Sequence, residues 1–121
     1  MTRAGNARAP KRGEIWDANL GALDTAQGAE MQKTRPVLIV GKNLVNEHRR
    51  TVLVIPLATS GANAKANPPV SVQVECGQKK AAAVIDQLRA LDKSRLLRFI
   101  DVASPADLES IAGALRQVLE L

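Results

Sequence analysis

Two continuous apolar runs, PVLIV at residues 36–40 and TVLVIPLA at residues 51–58, constrain the fold more than any other feature of the sequence. Both are short, rich in β-branched side chains and bounded by turn residues, so both read as buried strands. Between them GKNLVNEHRR reads as a polar turn with one helical turn. Other strands are expected around this pair. In GEIWDANL the residues Trp16, Ala18 and Leu20 share one apolar side, and in VSVQVE the residues Val70, Val72 and Val74 alternate onto one face. CGQKK makes a turn into a short strand, AAAVI. DQLRALDKSRL mixes charge with leucine and reads as irregular, with a tight turn at 92–95 before a last strand, LLRFIDVA. A helix then follows: Ser104 is placed to N-cap it, Pro105 suits its first position, and Asp107 and Glu109 favour its positive end. Leu108, Ile111, Ala112, Leu115, Val118 and Leu119 form its apolar stripe. Five or six short strands and one C-terminal helix imply a mainly β, α+β architecture: a small, strongly bent antiparallel sheet or partial barrel closed on one side by the helix.

A chain of 121 residues is expected to form one domain, here 11–121, preceded by a flexible basic arm at 1–10. The formal net charge of +5 is unevenly placed. Arg3, Arg8, Lys11 and Arg12 precede the first acidic residue, and from Gly13 onward basic and acidic residues nearly balance. Such an arm suits nucleic acid or an acidic partner, or is a solvated, idle terminus. Cys76 is the only cysteine, which excludes an intrachain disulfide and a cysteine-rich zinc site; it is expected to be a half-buried strand residue. His48 is the only histidine and lies in a polar turn, so histidine metal clusters and histidine pairs are excluded. No P-loop or dinucleotide fingerprint is present. With neither a long apolar span nor an apolar signal core at the N-terminus, the protein is expected to be cytoplasmic. Trp16 and Phe99 are the only aromatic residues, too few for a stacking platform, so recognition of a single strand would rest on charge and hydrogen bonds.

The remaining chemistry sits in polar residues at strand ends. The stretch GAEMQKTRPVLIV passes abruptly from a polar connection of unusual length into the first apolar run. Connections of that length inside a small domain are usually functional or disordered. Pro36 confines Arg35 to extended backbone, so Arg35 already lies on the path of the strand with its guanidinium near the loop. Glu30, Gln32 and Lys33 precede it; Thr59 and Ser60 follow the second apolar run; Asp86, Gln87 and Arg89 follow AAAVI.

KRGEIWDANL, GAEMQKTRPVLIV, VIPLATS and IDQLRALDKSRL resemble, in that order, the four motif blocks of the MazF/PemK toxins, RNA endonucleases of toxin–antitoxin pairs. One block alone is a weak signal, whereas four in order from Lys11 to the C-terminal helix are specific. The resemblance implies an SH3-like β-barrel of five to seven strands with a C-terminal helix, usually as a homodimer. It also implies cleavage of single-stranded RNA, messenger RNA above all, without metal or cofactor: the 2′-hydroxyl attacks the adjacent phosphate and leaves 2′,3′-cyclic phosphate and 5′-hydroxyl ends.

Within that resemblance Arg35 is the central catalytic group and Thr59 its partner at the phosphate. Glu30, Gln32, Lys33, Ser60, Asp86, Gln87 and Arg89 become RNA contacts, and the loops at 21–34 and 61–69 set the cut sequence. Two positions depart from some PemK-type relatives: Val84 stands where they carry an arginine, and Ala29 where they carry a histidine. An acidic antitoxin with a flexible segment is the implied partner. Toxins of the same barrel that poison gyrase use a C-terminal tryptophan motif, whereas this chain ends RQVLEL. The remaining alternative is an inactive SH3-like binding module.

Overall fold

The two apolar runs form neighbouring central strands, β2 (Thr34–Ile39) and β3 (Thr51–Ala58), antiparallel with Val37 opposite Pro56 and Leu38 opposite Ile55. The computed structural model describes residues 9–21, 34–59 and 65–121. Most of the expected N-terminal arm and the connection at 22–33 lie outside these. Around the central pair stand β1 (Glu14–Asn19), β4 (Ser71–Cys76), β5 (Lys79–Val84), β6 (Arg89–Asp92) and β7 (Leu96–Val102). They form one antiparallel sheet in the order β4-β5-β3-β2-β1-β7, with β6 on β3 as a branch. A short helix, α1 (Asn43–His48), links β2 to β3, and α2 (Pro105–Leu119) ends the chain.

The branch explains a proline inside a central strand. β3 pairs with β6 through Thr51–Val54 and with β5 through Leu57 and Ala58, so Ile55 and Pro56 fall where neither strand is in register. Proline has no N–H to give a ladder, and this is the stretch of β3 that makes no demand for one on that side. A single-turn 3-10 segment, Ile85–Gln87, fills the gap between β5 and β6.

Because the sheet curls, both faces of its centre are buried. On one face Val37, Ile39, Val52, Val54, Ala18 and Leu91 pack together, with Trp16, Leu20 and Leu96 against them. β6 and β7 lie at opposite ends of the path β6-β3-β2-β1-β7 yet are consecutive in sequence through the tight turn Lys93–Arg95, so the ribbon wraps around this cluster. The Asp92 side chain accepts from Ser94 N at 2.9 Å and caps that turn. That hydrogen bond, aided by Arg50 and Arg95, holds the exposed carboxyl below its usual range. On the other face Ile15, Leu38, Ile55, Leu57, Val74, Ala81, Ala83 and Ile85 meet Ile111 and Ala114 of α2.

This arrangement corrects four sequence expectations. β1 does not have one apolar side, since Ile15 is fully buried beneath α2 while Ala18 is fully buried on the opposite face. Val70 is 41% exposed and precedes β4; only Val72 and Val74 of its set pack on the core. DQLRALDKSRL contains a true strand, β6, whose four residues are too few to show a period. On α2 the inward stripe runs through Leu108, Ile111, Ala114, Leu115 and Val118. Leu119, at 48% exposure, lies beyond it.

The start of α2 is as its sequence predicts. Ser104 Oγ accepts from Asp107 N at 3.0 Å and Pro105 is the first helical residue. Asp107 does more than meet the dipole, because its Oδ2 accepts from Glu75 N at 3.0 Å and ties the helix to β4. The N-terminal cations are not all spent on an arm either. Arg12 donates from its backbone to Asn43 Oδ1 at 2.7 Å and from Nη1 to Val40 O at 2.6 Å, closing β1 onto the β2–α1 corner. Among the described residues, no helix is long and apolar enough to cross a membrane.

Candidate active site

Arg35 is the second residue of β2, opposite Ala18 of β1 and half-buried. Alternation from Val37 and Ile39 directs it to the face that the curled ribbon encloses. Asp17, the neighbouring carboxylate on β1, stands opposite Pro36 and so points to the other face, where Arg98 Nη2 holds it at 2.7 Å. Consequently, among the described residues, Arg35 makes no hydrogen bond or ion pair. A half-buried guanidinium whose donors are uncommitted among the described residues is open to an anion.

The antiparallel register carries the same end of the sheet to the end of β3. Val37 faces Pro56, so the Arg35 end of β2 lies beside Ala58 and Thr59. Ala58 is buried as the last strand residue; Thr59 follows it and is exposed. The turn Ile85–Gln87 lies alongside this half of β3, in the gap left by β5 and β6, and presents Asp86 and Gln87 to solvent. Arg89 opens β6 opposite Val54, half-buried, on the face that Arg35 shares. Of the nine residues singled out from sequence, Arg35 and Thr59 thus share one end of the β2–β3 pair, Asp86 and Gln87 sit on the turn alongside β3, and Arg89 stands at the start of β6, in register with Ile39. Glu30, Gln32, Lys33 and Ser60 lie outside the described residues.

Two features were not legible beforehand. A cleft of about 250 Å³ separates the turn from the loop before β4, lined by Lys65, Asn67, Val70, Ser71, Val84, Asp86 and Gln87. Asp86 and Gln87 were expected site residues; Lys65 and Asn67 were not singled out, though they fall in the loop at 61–69 that the resemblance makes a determinant of the cut sequence. The second is Arg95. It donates from Nη1 to Asn19 O at 3.2 Å, and because Asn19 pairs with Thr34, this cation stands at the same sheet end as Arg35.

The chemistry available here is that of charge and hydrogen bonding. Cys76 is buried in the larger core, 8% exposed, and its thiol is pushed up by burial and then by the negative charges of Asp17 and Asp101, so it is no thiolate nucleophile. His48 is exposed on α1, its Nδ1 2.9 Å from Leu44 O. Among the described residues, no group of three or more His, Cys, Asp or Glu side chains is placed to hold a metal ion.

Residues 11–119 match the family model described as PemK-like, MazF-like toxin of type II toxin-antitoxin system. The chain is similar to the endoribonuclease MazF of Staphylococcus epidermidis, 31% identical over 109 residues that cover 87% of each protein. In structure it is similar to an endoribonuclease from mycobacterial species, solved in complex with its cognate antitoxin. That match has a TM-score of 0.75 at 25% identity and covers 93% of this chain and 97% of the other. The MazF of Deinococcus radiodurans shares the fold with a TM-score of 0.76 at 19% identity, over 95% of this chain and 100% of that one.

Proposed function

Because the chain belongs to the PemK-like, MazF-like toxins of type II toxin–antitoxin systems and is an endoribonuclease of that family, we propose that it cleaves single-stranded RNA by internal transesterification at the Arg35 end of the sheet. In this reaction the ribose 2′-oxygen forms a bond to the adjacent phosphorus as the bond from phosphorus to the 5′-oxygen breaks. The 2′-hydroxyl proton is lost, a proton is delivered to the departing oxygen, and no external water is consumed. The demand on the protein is a fixed positive charge where the phosphorane accumulates negative charge.

The observation that carries this reading is the half-buried guanidinium of Arg35, without a partner among the described residues, on a strand whose backbone Pro36 constrains. Thr59, exposed at the adjoining end of β3, supplies a hydroxyl to the same phosphate. Asp86, Gln87 and Arg89 bind the flanking nucleotides, as do Glu30, Gln32, Lys33 and Ser60 from the adjoining loop segments. The requirement for an attacking 2′-hydroxyl leaves DNA uncut.

The test is incubation with a mixed RNA followed by end mapping. New ends bearing 5′-hydroxyl and 2′,3′-cyclic phosphate are expected, at a rate unchanged by excess EDTA. A strict dependence on divalent metal, or 5′-phosphate ends, would contradict the mechanism.

Two partners belong to the same reading. A cognate antitoxin with an acidic segment suits the cations Arg35 and Arg95 at one sheet end, where it would compete with RNA. A second copy of the chain suits the opposite surface. There Leu44 and Val45 of α1 and Leu53 of β3 are 56%, 40% and 41% exposed and border a shallow groove of about 530 Å³. Apolar side chains contiguous in this way mark an interaction surface, and a two-fold pairing covers the same patch on both copies. Sedimentation at micromolar concentration should give twice the chain mass, and Leu53→Glu should shift it toward the monomer; a wild-type monomer would remove this pairing.

A further inference from the structure

We infer that the cleft between the Ile85–Gln87 turn and the loop before β4 is the seat of one unstacked RNA base, and that Asn67 makes it selective for an amino-bearing base, adenine or cytosine, over uracil. The inference rests on the nuclease reading and assigns a residue that the family motifs do not contain.

The cleft is built rather than incidental. Its two walls are stapled together: Ile85 N donates to Val70 O at 2.8 Å, and Ser71 pairs with Val84 in the β4–β5 ladder. On the loop side Asn67 is held by its main chain. Its N–H donates to Ser71 O at 3.2 Å and to Ser71 Oγ at 2.8 Å, and its carbonyl accepts from Ser71 N at 3.1 Å. The two prolines between them, Pro68 and Pro69, restrict the backbone of the loop so closed. With the backbone committed in this way, the side-chain amide of Asn67 has no partner among the described residues. The same is true of the side chains of Asp86 and Gln87 on the facing wall.

The free groups define what fits. Val70 and Val84 offer apolar surface for the flat face of a base, which a chain with two aromatic residues must find elsewhere than in stacking rings. At the base edge stand two amides, each both donor and acceptor, and one carboxylate, which only accepts. The carboxylate and the amide oxygens accept from the amino group that adenine carries at C6 or cytosine at C4, whereas the carbonyl that guanine or uracil presents at that position meets the carboxylate and is disfavoured. Lys65, exposed at the rim, is a point charge suited to the phosphate of the same nucleotide. Held walls and uncommitted amides need no reordering when the base enters, which keeps the discrimination high.

The decisive experiment maps 5′-hydroxyl ends produced from single-stranded RNA randomised across the cut region, for wild type and for Asn67→Ala. Wild type should show one position beside the cut where adenine or cytosine is favoured over uracil by about tenfold or more, the scale of a bidentate amide contact. Asn67→Ala should lose that preference at that position alone, with an unchanged melting temperature, since the exposed side chain supports nothing in the fold. Identical cut-site preferences in the two proteins would overturn the inference while leaving the nuclease intact. So would a wild-type preference confined to uracil or guanine. A wild type that releases no 5′-hydroxyl ends at all would instead remove the nuclease reading beneath it.

Discussion

Arg35→Ala is expected to lower RNA cleavage by about a hundredfold or more while the protein folds and melts as wild type, the usual loss when one stabiliser of transition-state charge is removed. The two halves of this expectation have separate grounds. The fold should survive because, among the described residues, the guanidinium makes no hydrogen bond or ion pair whose loss would strand a partner. The β2 backbone is set by its pairing with β1 and by Pro36, not by the Arg35 side chain. Cleavage should fail because, in the proposed mechanism, the cation serves the phosphorane rather than the protein. Arg35→Lys tests the geometry: a lysine keeps the charge without the planar fork and should recover only part of the rate. Single-turnover cleavage of a defined RNA, with circular dichroism melts of each variant, makes the measurement. An Arg35→Ala protein cutting within a few fold of wild type would take Arg35 out of the mechanism.

Ile111→Ala should destabilise the protein by about 3 kcal/mol, enough to lower the melting temperature by roughly 10 °C, because it removes buried methylene and methyl groups and leaves a cavity. Ile111 is 1% exposed and is the α2 side chain most deeply set against Ile15, Leu38, Ile55 and Leu57. Leu119→Ala, on the same helix, should change stability by less than about 0.5 kcal/mol, since its side chain is half in water and alanine is at least as good a helix former. Urea unfolding of both variants is the comparison. Equal losses would mean that Leu119 is covered, as the uninterrupted stripe of the sequence suggested, by something outside the described residues.

That stripe shows how far pattern reading reaches. The period of α2, its Ser104 cap and its Pro105 start are local, and local rules found them. Which side of a broad apolar stripe faces the sheet is decided by the direction from which the sheet approaches, and that favoured Ala114 over Leu119. β1 makes the same point. Alternation marked Trp16 and Ala18 as its apolar side and left Ile15 opposite, as though facing water. In a curled sheet both sides are interior, so alternation lost its meaning there. β6 escaped because four residues carry no measurable period. Its existence depends on β3, which offers it an edge beside Pro56.

The candidate site divides in the same way. Arg35 was visible because its significance is partly local, a cation beside a proline at the mouth of a strand, and because the surrounding motif resembles those of known toxins. Asp86 and Gln87 were visible as polar residues at a strand end, and the motif gave them a role. Asn67 and Lys65 were not singled out as residues, although the loop at 61–69 that carries them was expected to help set the cut sequence.

By itself, then, the sequence determined the strand-rich class, the capped C-terminal helix, the family and the arginine around which the chemistry is proposed. All of these are written in short-range spacing or in ordered motif blocks. Only the tertiary structure decided that both faces of β1 are buried, that Asp17 turns to Arg98 and leaves Arg35 without a partner among the described residues, and that Asn67 and Gln87 line one cleft. The physical reason is that charge pairing and cleft walls depend on strand register and sheet curl. Those arise from contacts between residues far apart in the chain, where no local period can record them.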